Sequence, residues 1–198
     1  MNNIILKLRL IFHPYVLIEK FRWLIFSCRI SSCGNNCMME HSFSIVKPQS
    51  VIFGNNVRFG SNCKIACYGV DENNNLSSEK VILGNDINFG NYCYISALNN
   101  VRIGDGVLTG DNVSIIDNSH GNMSAEEINI RPAIRKLYSK GPIIIGKNVW
   151  IGKNVCVLSN VKIGDYAIIG ANAVVTHDIP AYAIAAGVPA RVINMLKK

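Results

Sequence analysis

The chain of 198 residues contains 28 Ile but only 12 Leu, and its 24 Asn and 16 Gly supply many residues suited to tight turns. β-Branched Ile fits a pleated strand better than a helix, while Asn and Gly tolerate the positive φ of turn residues. The composition therefore excludes a helix bundle, and with 49% hydrophobic and 17% charged residues it also excludes disorder. A net charge of +7 indicates a polyanionic partner or surface, without choosing among nucleic acid, membrane and a phosphorylated cofactor.

The N-terminal segment, residues 1–50, lacks the periodicity of the rest and is predicted to form a helical or irregular cap. From Ile4 to Ile30 it is apolar and basic, and Pro14 divides this stretch into two short candidate helices. Two interpretations stay open: a cap over the open end of a solenoid, which we favour, and peripheral contact of residues 1–30 with the anionic inner face of the cell membrane. The sequence shows no secretory signal, which predicts a cytoplasmic protein with reduced cysteines.

A six-residue repeat begins at Val51 and organises the rest of the chain. Fifteen blocks such as VIFGNN, VRIGDG and VWIGKN fall into runs of 18, 18, 18 and 36 residues, so three blocks form one structural unit. A period of six fits neither a helix nor a hairpin, but it fits a solenoid of triangular cross-section with one short strand and one turn per block. We therefore predict an all-β domain over residues 51–193, in which five coils span about 24 Å, followed by a short tail at 194–198.

Two segments interrupt the repeat, at residues 69–80 and 119–142. The first is polar and is predicted to be a surface loop. The second begins with SHG, at the end of the string IIDNSHG. It carries four basic residues and, as a long excursion from a regular scaffold, is expected to be functional. His120 stands at its start, and a histidine held there by a rigid solenoid suits acid–base chemistry near neutral pH.

Other chemistries find little support in the sequence. Neither a GxSxG elbow nor a GxxxxGK[ST] phosphate loop occurs. The histidines lack the spacing of a metal site and the cysteine pairs are CxxxC rather than CxxC, so no metal is expected. The basic segment lacks the interleaved aromatic residues of nucleic-acid binders, so nucleic acid is not an expected partner.

The sequence resembles the hexapeptide-repeat acyltransferases, and within them the bacterial sugar O-acetyltransferases of the maltose/galactoside and the O-antigen or capsule types. The resemblance covers Val51 to Ile193 and is carried by the repeat, by IIDNSHG, by GPIIIGKNVWIGKNV and by THDIPAYAIAAGVPARVI. It implies a left-handed parallel β-helix, a homotrimer with active sites between subunits, and acetyl-CoA as the donor. The handedness comes from the resemblance alone, because parallel crossovers are normally right-handed.

The resemblance also assigns site residues. His120 matches the catalytic base, which would take the proton of a sugar hydroxyl as the oxygen attacks the thioester carbonyl. Asp117 is a candidate to orient the imidazole, and Trp150 matches an indole that shields the reacting centre, with corner packing as its alternative. The positions that match the coenzyme channel are Lys153, Ala171, Thr176, His177 and Arg191. The stretch 128–164, which has seven Lys or Arg and no acidic residue, suits the coenzyme phosphates.

The predicted function is acetyl-CoA-dependent O-acetylation of a sugar hydroxyl on a bacterial surface polysaccharide (O-antigen or capsule) or its precursor. Two alternatives stay open: N-acetylation of an amino-sugar nucleotide, which needs much the same base and donor, and a non-catalytic solenoid scaffold. Gly90 and Leu98 stand where the galactoside branch has polar acceptor-binding groups. This difference indicates another acceptor.

Overall fold

The structure is a computed structural model that describes residues 18, 21, 23–25, 27–69, 80–122 and 124–196. The strands in this part of the chain are β1 (Ser32–Cys33), β2 (Met38–Met39), β3 (Ser44–Val46), β4 (Val51–Phe53), β5 (Arg58–Phe59), β6 (Lys64–Cys67), β7 (Val81–Leu83), β8 (Asn88–Phe89), β9 (Tyr94–Ala97), β10 (Val101–Ile103), β11 (Leu108–Thr109), β12 (Ser114–Ile116), β13 (Ser119–His120), β14 (Leu137–Tyr138), β15 (Ile143–Ile145), β16 (Trp150–Ile151), β17 (Cys156–Leu158), β18 (Val161–Ile163), β19 (Ile168–Ile169), β20 (Val174–Val175), β21 (Ala183–Ala186) and β22 (Arg191–Met195). Short 3₁₀ helices occupy Pro48–Ser50, Ala125–Glu127 and Pro132–Ile134.

The strands wind into the predicted left-handed parallel β-helix, and three sheets form its sides. Sheet A joins β1, β4, β7, β10, β15 and β18; sheet B joins β2, β5, β8, β11, β16, β19, β21 and β22; sheet C joins β3, β6, β9, β12, β17 and β20. Neighbouring strands within these sheets are parallel, except that β22 turns back antiparallel to β21. Each of the fifteen predicted blocks supplies one strand, so the prediction of three blocks per coil is confirmed.

The core is a set of aliphatic columns along the solenoid axis. Ile65, Ile95, Ile115 and Val157 align in register on sheet C and are all buried. Burying each such side chain contributes roughly 1.5–3 kcal/mol, so the stacked columns are the main stabilising force. Only one face of each short strand meets this core, and the pattern repeats every six residues because each strand and its turn together take six residues.

The corners explain the excess of Asn. Eight asparagines adopt the left-handed conformation with φ between 53° and 61°: Asn36, Asn56, Asn62, Asn112, Asn148, Asn154, Asn160 and Asn172. Their amides also stack between coils, as where Nδ2 of Asn112 donates to Oδ1 of Asn154 at 3.0 Å. The corner glycines allow close stacking: a Cβ on Gly54 would lie 2.5 Å from the carbonyl oxygen of Gly84.

The solenoid begins one coil before the predicted start at Val51. Strands β1, β2 and β3 pair in parallel with β4, β5 and β6, so part of the predicted N-terminal cap is itself a coil. Gly34 and its two following asparagines repeat the pattern at Gly54. The periodicity was obscured because Cys37 and Phe43, rather than Val or Ile, fill two of the inward positions, where both are buried.

The residues before this coil include a helix that packs on the solenoid. Trp23 lies in it, and its ring stacks on Phe53 with the centroids 6.3 Å apart and the planes 7° apart. This contact supports the cap interpretation for the second candidate helix. The first candidate helix and Pro14 lie outside the described residues. Within the part of the chain that the structure describes, no helix is long and apolar enough to cross a membrane.

Candidate active site

His120 lies where sheet C gives way to the long loop. The loop leaves after β12, and its first strand, β13, pairs antiparallel with β14, which brings His120 opposite Leu137. A hydrogen bond from the Gly121 amide to the Lys136 carbonyl, at 2.9 Å, holds the two strands together. The His120 side chain is exposed, so its imidazole is available to a substrate.

A cavity of about 270 Å³ opens beside His120 on the outer face of sheet C. None of its lining residues is Asp, Glu, Lys or Arg, and four of them are aromatic or aliphatic. The lining consists of Tyr68, Tyr94, Ser96, Ile116, Asn118, Ser119, His120 and Leu137. His120 is therefore the lining residue of the type that most often serves as a general base.

The described hydrogen bonds of the Asp117 carboxylate go to residues 98, 99 and 118 and not to His120. Its side chain is fully buried, and its carboxylate accepts the backbone N–H groups of Leu98 at 2.7 Å and Asn99 at 2.8 Å. The Asn118 amide donates to the same carboxylate at 3.0 Å and to the Ser96 hydroxyl at 2.9 Å. Asp117 thus fixes the turn after β9, and the described contacts give it a structural role rather than the orienting role that we considered.

Trp150 lies on sheet B, away from His120 of the same chain. It stands outward between Leu108 and Ile168 on neighbouring strands and is 53% exposed. The alternative of corner packing is therefore not what the structure shows. An indole on sheet B can meet a His120 site only in another copy of the chain.

The predicted coenzyme residues form two groups near the C-terminal end of the solenoid. Lys153 and Ala171 stack at the corner between sheets B and C. There the backbone N–H of Asn172 donates to the Lys153 carbonyl at 2.9 Å. Thr176 and His177 lie at the corner between sheets C and A, with Oγ1 of Thr176 and Nδ1 of His177 2.7 Å apart. Both corners flank the last strands of sheet C, and the five residues from Ala171 to Thr176 place them roughly 15 Å apart.

Two cationic side chains of this region are exposed. Lys153 has Nζ 4.0 Å from Oδ2 of Asp111, a surface pair that contributes little because both side chains are well exposed. Arg191 begins β22, and its guanidinium donates to the Ala190 carbonyl at 2.9 Å. The Ala190 amide donates to the Val174 carbonyl, which ties this arginine to the end of sheet C.

His120 does not join either coenzyme group within one chain. It shares the corner between sheets C and A with Thr176 and His177 but lies two coils earlier, about 10 Å away along the axis. Lys153 and Ala171 stand at the opposite edge of sheet C. The arrangement therefore brings the predicted coenzyme residues together in two groups and leaves the base on a separate part of the same face.

Sequence reasoning missed Tyr68, Tyr94 and Ser96 as lining residues. All three follow or belong to strands of sheet C. Tyr94 is half-buried next to the buried Ile95, whereas Ser96 lines the cavity although it is itself buried. The outward phase of the repeat could have identified the strand residues. The link to His120 could not have been found in that way, because it depends on how the long loop folds back over sheet C.

One cysteine, Cys67, has a structural role in this region. Cys67 is buried beneath the site, and this burial raises the pKa of its thiol to about 12, so it is a poor nucleophile at neutral pH. The described residues contain no cluster of three His, Cys, Asp or Glu side chains arranged to hold a metal ion.

Comparison with known proteins bears on this fold and site. Residues 142–177 match the family model described as bacterial transferase hexapeptide (six repeats). The predicted resemblance to the hexapeptide-repeat acyltransferases is confirmed. Galactoside O-acetyltransferase of Escherichia coli (strain K12) is 45% identical to this chain over 97 residues, which are 48% of this chain and 43% of that protein. The lipopolysaccharide biosynthesis O-acetyl transferase WbbJ of the same strain is 33% identical over 105 residues, 51% of this chain and 53% of that protein.

The chain spans about half the length of the curated relatives it matches. Among solved structures, galactoside acetyltransferase in complex with coenzyme A superimposes with a TM-score of 0.61 and 28% identity, covering 93% of this chain and 74% of that one. The N-acyltransferase AntD from Bacillus cereus, solved with dTDP and coenzyme A, gives a TM-score of 0.72 at 21% identity and covers 89% of each chain. At that identity the second likeness shows the fold alone.

Proposed function

We propose that the protein transfers an acetyl group from acetyl-CoA to a sugar hydroxyl of a bacterial surface polysaccharide, O-antigen or capsule, or of its precursor. The observation that carries this proposal is an exposed imidazole, that of His120, at an uncharged cavity on a hexapeptide-repeat scaffold. The two curated relatives described above are O-acetyltransferases, which supports oxygen as the attacking atom.

The chemistry of the C-terminal corners fits a coenzyme A phosphate chain. Lys153 and Arg191 are exposed cations, and Thr176 offers a hydroxyl at the other edge of sheet C from Lys153. Exposed ammonium and guanidinium groups are the usual partners of phosphates, through charge-assisted hydrogen bonds. Ala171 presents a small side chain at the same corner as Lys153, which leaves room for the pantetheine arm.

The proposed reaction is one direct transfer with His120 as general base. Bound acetyl-CoA would supply a thioester carbonyl with a thiolate as its leaving group. A ring nitrogen of His120 takes the proton of the acceptor hydroxyl while the new C–O bond forms and the C–S bond breaks. His120 then returns this proton to the departing sulfur, so the base is regenerated in each turnover.

We further propose that the active site lies between subunits of a homotrimer. Within one chain, Trp150 and Lys153 lie on or beside sheet B, whereas His120 lies at the other edge of sheet C. A second copy that placed its sheet B against sheet C would bring these residues to one site. The exposed Leu108 and Trp150 would then be covered.

N-acetylation of an amino sugar is the second candidate reaction. The fold is shared with the N-acyltransferase AntD. An ammonium substrate entering a partly buried site is best matched by a carboxylate, because an unpaired buried charge is costly. The cavity lining offers no carboxylate, and we therefore favour the hydroxyl acceptor.

The proposed function is tested by following coenzyme A thiol release with acetyl-CoA and two acceptor sets. One set contains neutral sugars from the host polysaccharide, and the other contains amino-sugar nucleotides. We expect acceptor-dependent thiol release with the first set. Turnover confined to the second set would favour N-acetylation, and no acetyl-CoA binding at millimolar concentration would favour the scaffold alternative.

A separate prediction concerns the residues proposed to bind the coenzyme. Replacing Lys153 or Arg191 with Ala should raise the KM for acetyl-CoA about tenfold, since each loses a charge-assisted hydrogen bond of about 1.5 kcal/mol. The acceptor KM should change little. Arg102→Ala is the matched control, because this arginine is equally exposed but lies on sheet A. An unchanged KM for acetyl-CoA in both variants would remove these residues from the coenzyme site.

Peripheral membrane contact through residues 1–30 stays a proposal. In the described part of this segment, Ile18, Phe21, Leu24 and Ile25 are each about half or more exposed. Exposed apolar side chains on a basic helix suit an anionic membrane surface. We expect Phe21→Asp to reduce partitioning onto phosphatidylglycerol vesicles several-fold, measured by co-sedimentation. Equal sedimentation of the wild type and the variant would contradict this proposal.

A further inference from the structure

Two tyrosines stand beside His120 in the cavity on sheet C, and the reaction proposed above gives neither of them a task. Tyr68 directly follows β6, Tyr94 begins β9, and His120 follows β12. They therefore come from three successive coils. At about 4.8 Å per coil, the cavity extends about 10 Å along the solenoid axis, with the base toward one end and Tyr68 toward the other.

The two tyrosines support each other. Their phenols share a hydrogen bond, and this bond together with burial raises the pKa of Tyr68 to about 12, so the Tyr68 phenol is protonated at neutral pH. Nζ of Lys64 lies over the Tyr94 ring, 5.9 Å from its centroid. Tyr94 is thus held between Lys64 and Tyr68. We call Tyr68 and Tyr94 the tyrosine wall.

The rest of the lining decides what kind of molecule fits. Ile116 and Leu137 add apolar surface, while Ser96 and Asn118 add hydroxyl and amide groups. The cavity, at about 270 Å³, falls below the roughly 300–1,000 Å³ of sites for drug-sized ligands. A small, neutral molecule with one apolar face and several hydroxyls matches such a lining, and a single pyranose unit has this character.

We propose that the tyrosine wall is the platform on which the acceptor sugar stacks, and that Tyr68 helps to set acceptor specificity. This inference depends on the proposed function for its chemistry. The C–H face of one neutral pyranose unit packs on the wall, because aromatic rings bury apolar surface while a phenol remains to bond a hydroxyl. The hydroxyl rim of the same unit then lies toward Asn118 and His120. Only the terminal or modified unit of a longer acceptor enters the cavity.

The test measures sugar binding and turnover separately. Binding of a panel of methyl glycosides (glucoside, galactoside, rhamnoside and N-acetylglucosaminide) is followed by saturation-transfer NMR, which needs no reaction. Turnover is followed by thiol release with the preferred glycoside. We expect Tyr68→Ala to raise both the Kd and the acceptor KM about tenfold, as expected for loss of one aromatic contact, with the KM for acetyl-CoA unchanged. Tyr68→Phe, which keeps the ring, should change either value no more than about twofold.

Tyr166→Asn is the matched control. Tyr166 stacks on Tyr182 at the corner between sheets A and B, the corner that does not border sheet C, and Asn tolerates its φ of 60°. Sugar binding that survives in Tyr68→Ala, or that is absent in the wild type, would overturn the platform. If sugar binding depends on Tyr68 but no thiol is released, the result supports the tyrosine wall as the sugar platform and contradicts the proposed function.

Discussion

Replacing His120 with Ala is expected to lower the kcat of acetyl transfer by about 10²–10⁴-fold, the usual contribution of a positioned general base. The KM for acetyl-CoA should remain within about twofold of the wild-type value, because the coenzyme groups at Lys153 and Thr176 lie on other parts of the solenoid. Thiol release with a saturating acceptor measures the loss. The unfolding temperature should not change, since the His120 side chain is exposed and adds little to the core.

His41→Ala is the matched control for this variant. His41 is also exposed and also lies at a corner of the solenoid, but in the first coil, on the far side of sheet C from the His120 corner. It should retain full activity. Equal turnover by His120→Ala and the wild type with a true acceptor would show that another residue is the base.

The second large effect is expected at Asp117, and it is an effect on stability. Asp117→Ala removes a fully buried carboxylate and leaves the backbone N–H groups of Leu98 and Asn99 without their acceptor. Loss of two hydrogen bonds to a charged acceptor should reduce the free energy of unfolding by about 2–4 kcal/mol. For a chain of this size that corresponds to a fall of about 5–12 °C in the unfolding temperature, which can be followed by circular dichroism.

Kinetic measurements on Asp117→Ala distinguish this structural role from the role of orienting the His120 imidazole. At a temperature where the variant stays folded, kcat should fall less than about tenfold, far less than in His120→Ala. Asp86→Asn serves as the control, because Asp86 is an exposed corner carboxylate that accepts the Asn56 amide at 2.7 Å, and Asn can replace it there. If Asp117→Ala lost as much kcat as His120→Ala while its stability was unchanged, Asp117 would have a catalytic role instead.

The sequence predicted the fold well because the solenoid repeats one local rule. An inward aliphatic residue followed by a corner residue that tolerates positive φ defines each block, and both parts are visible in the letters of the sequence. The repeat is harder to recognise in the sequence where an inward position holds a residue other than Val or Ile. Cys37 and Phe43 are also buried at inward positions, yet they hid the first coil.

The site was predictable only in part, for a different physical reason. His120 was found because it marks a break in the repeat, which is a local signal. The hydrogen bonds of Asp117 to Leu98 and Asn99, and the meeting of Tyr68 with His120, join residues of different coils. Such contacts depend on register and on the fold of a long loop, and a sequence pattern carries neither. The expected meeting of Trp150 with a base requires a second copy of the chain.

The antiparallel return of β22 has a consequence for how the molecule behaves at high concentration. A parallel solenoid ends in strands whose backbone groups point along the axis, and the end of one molecule is a template for the start of another. On sheet B, β22 pairs with β21 in the opposite direction and carries exposed side chains, Arg191 among them, so a further parallel coil has no matching register there. At the opposite end, Trp23 lies against Phe53. These two terminal elements act against end-to-end fibre growth, a hazard that the repeat itself creates.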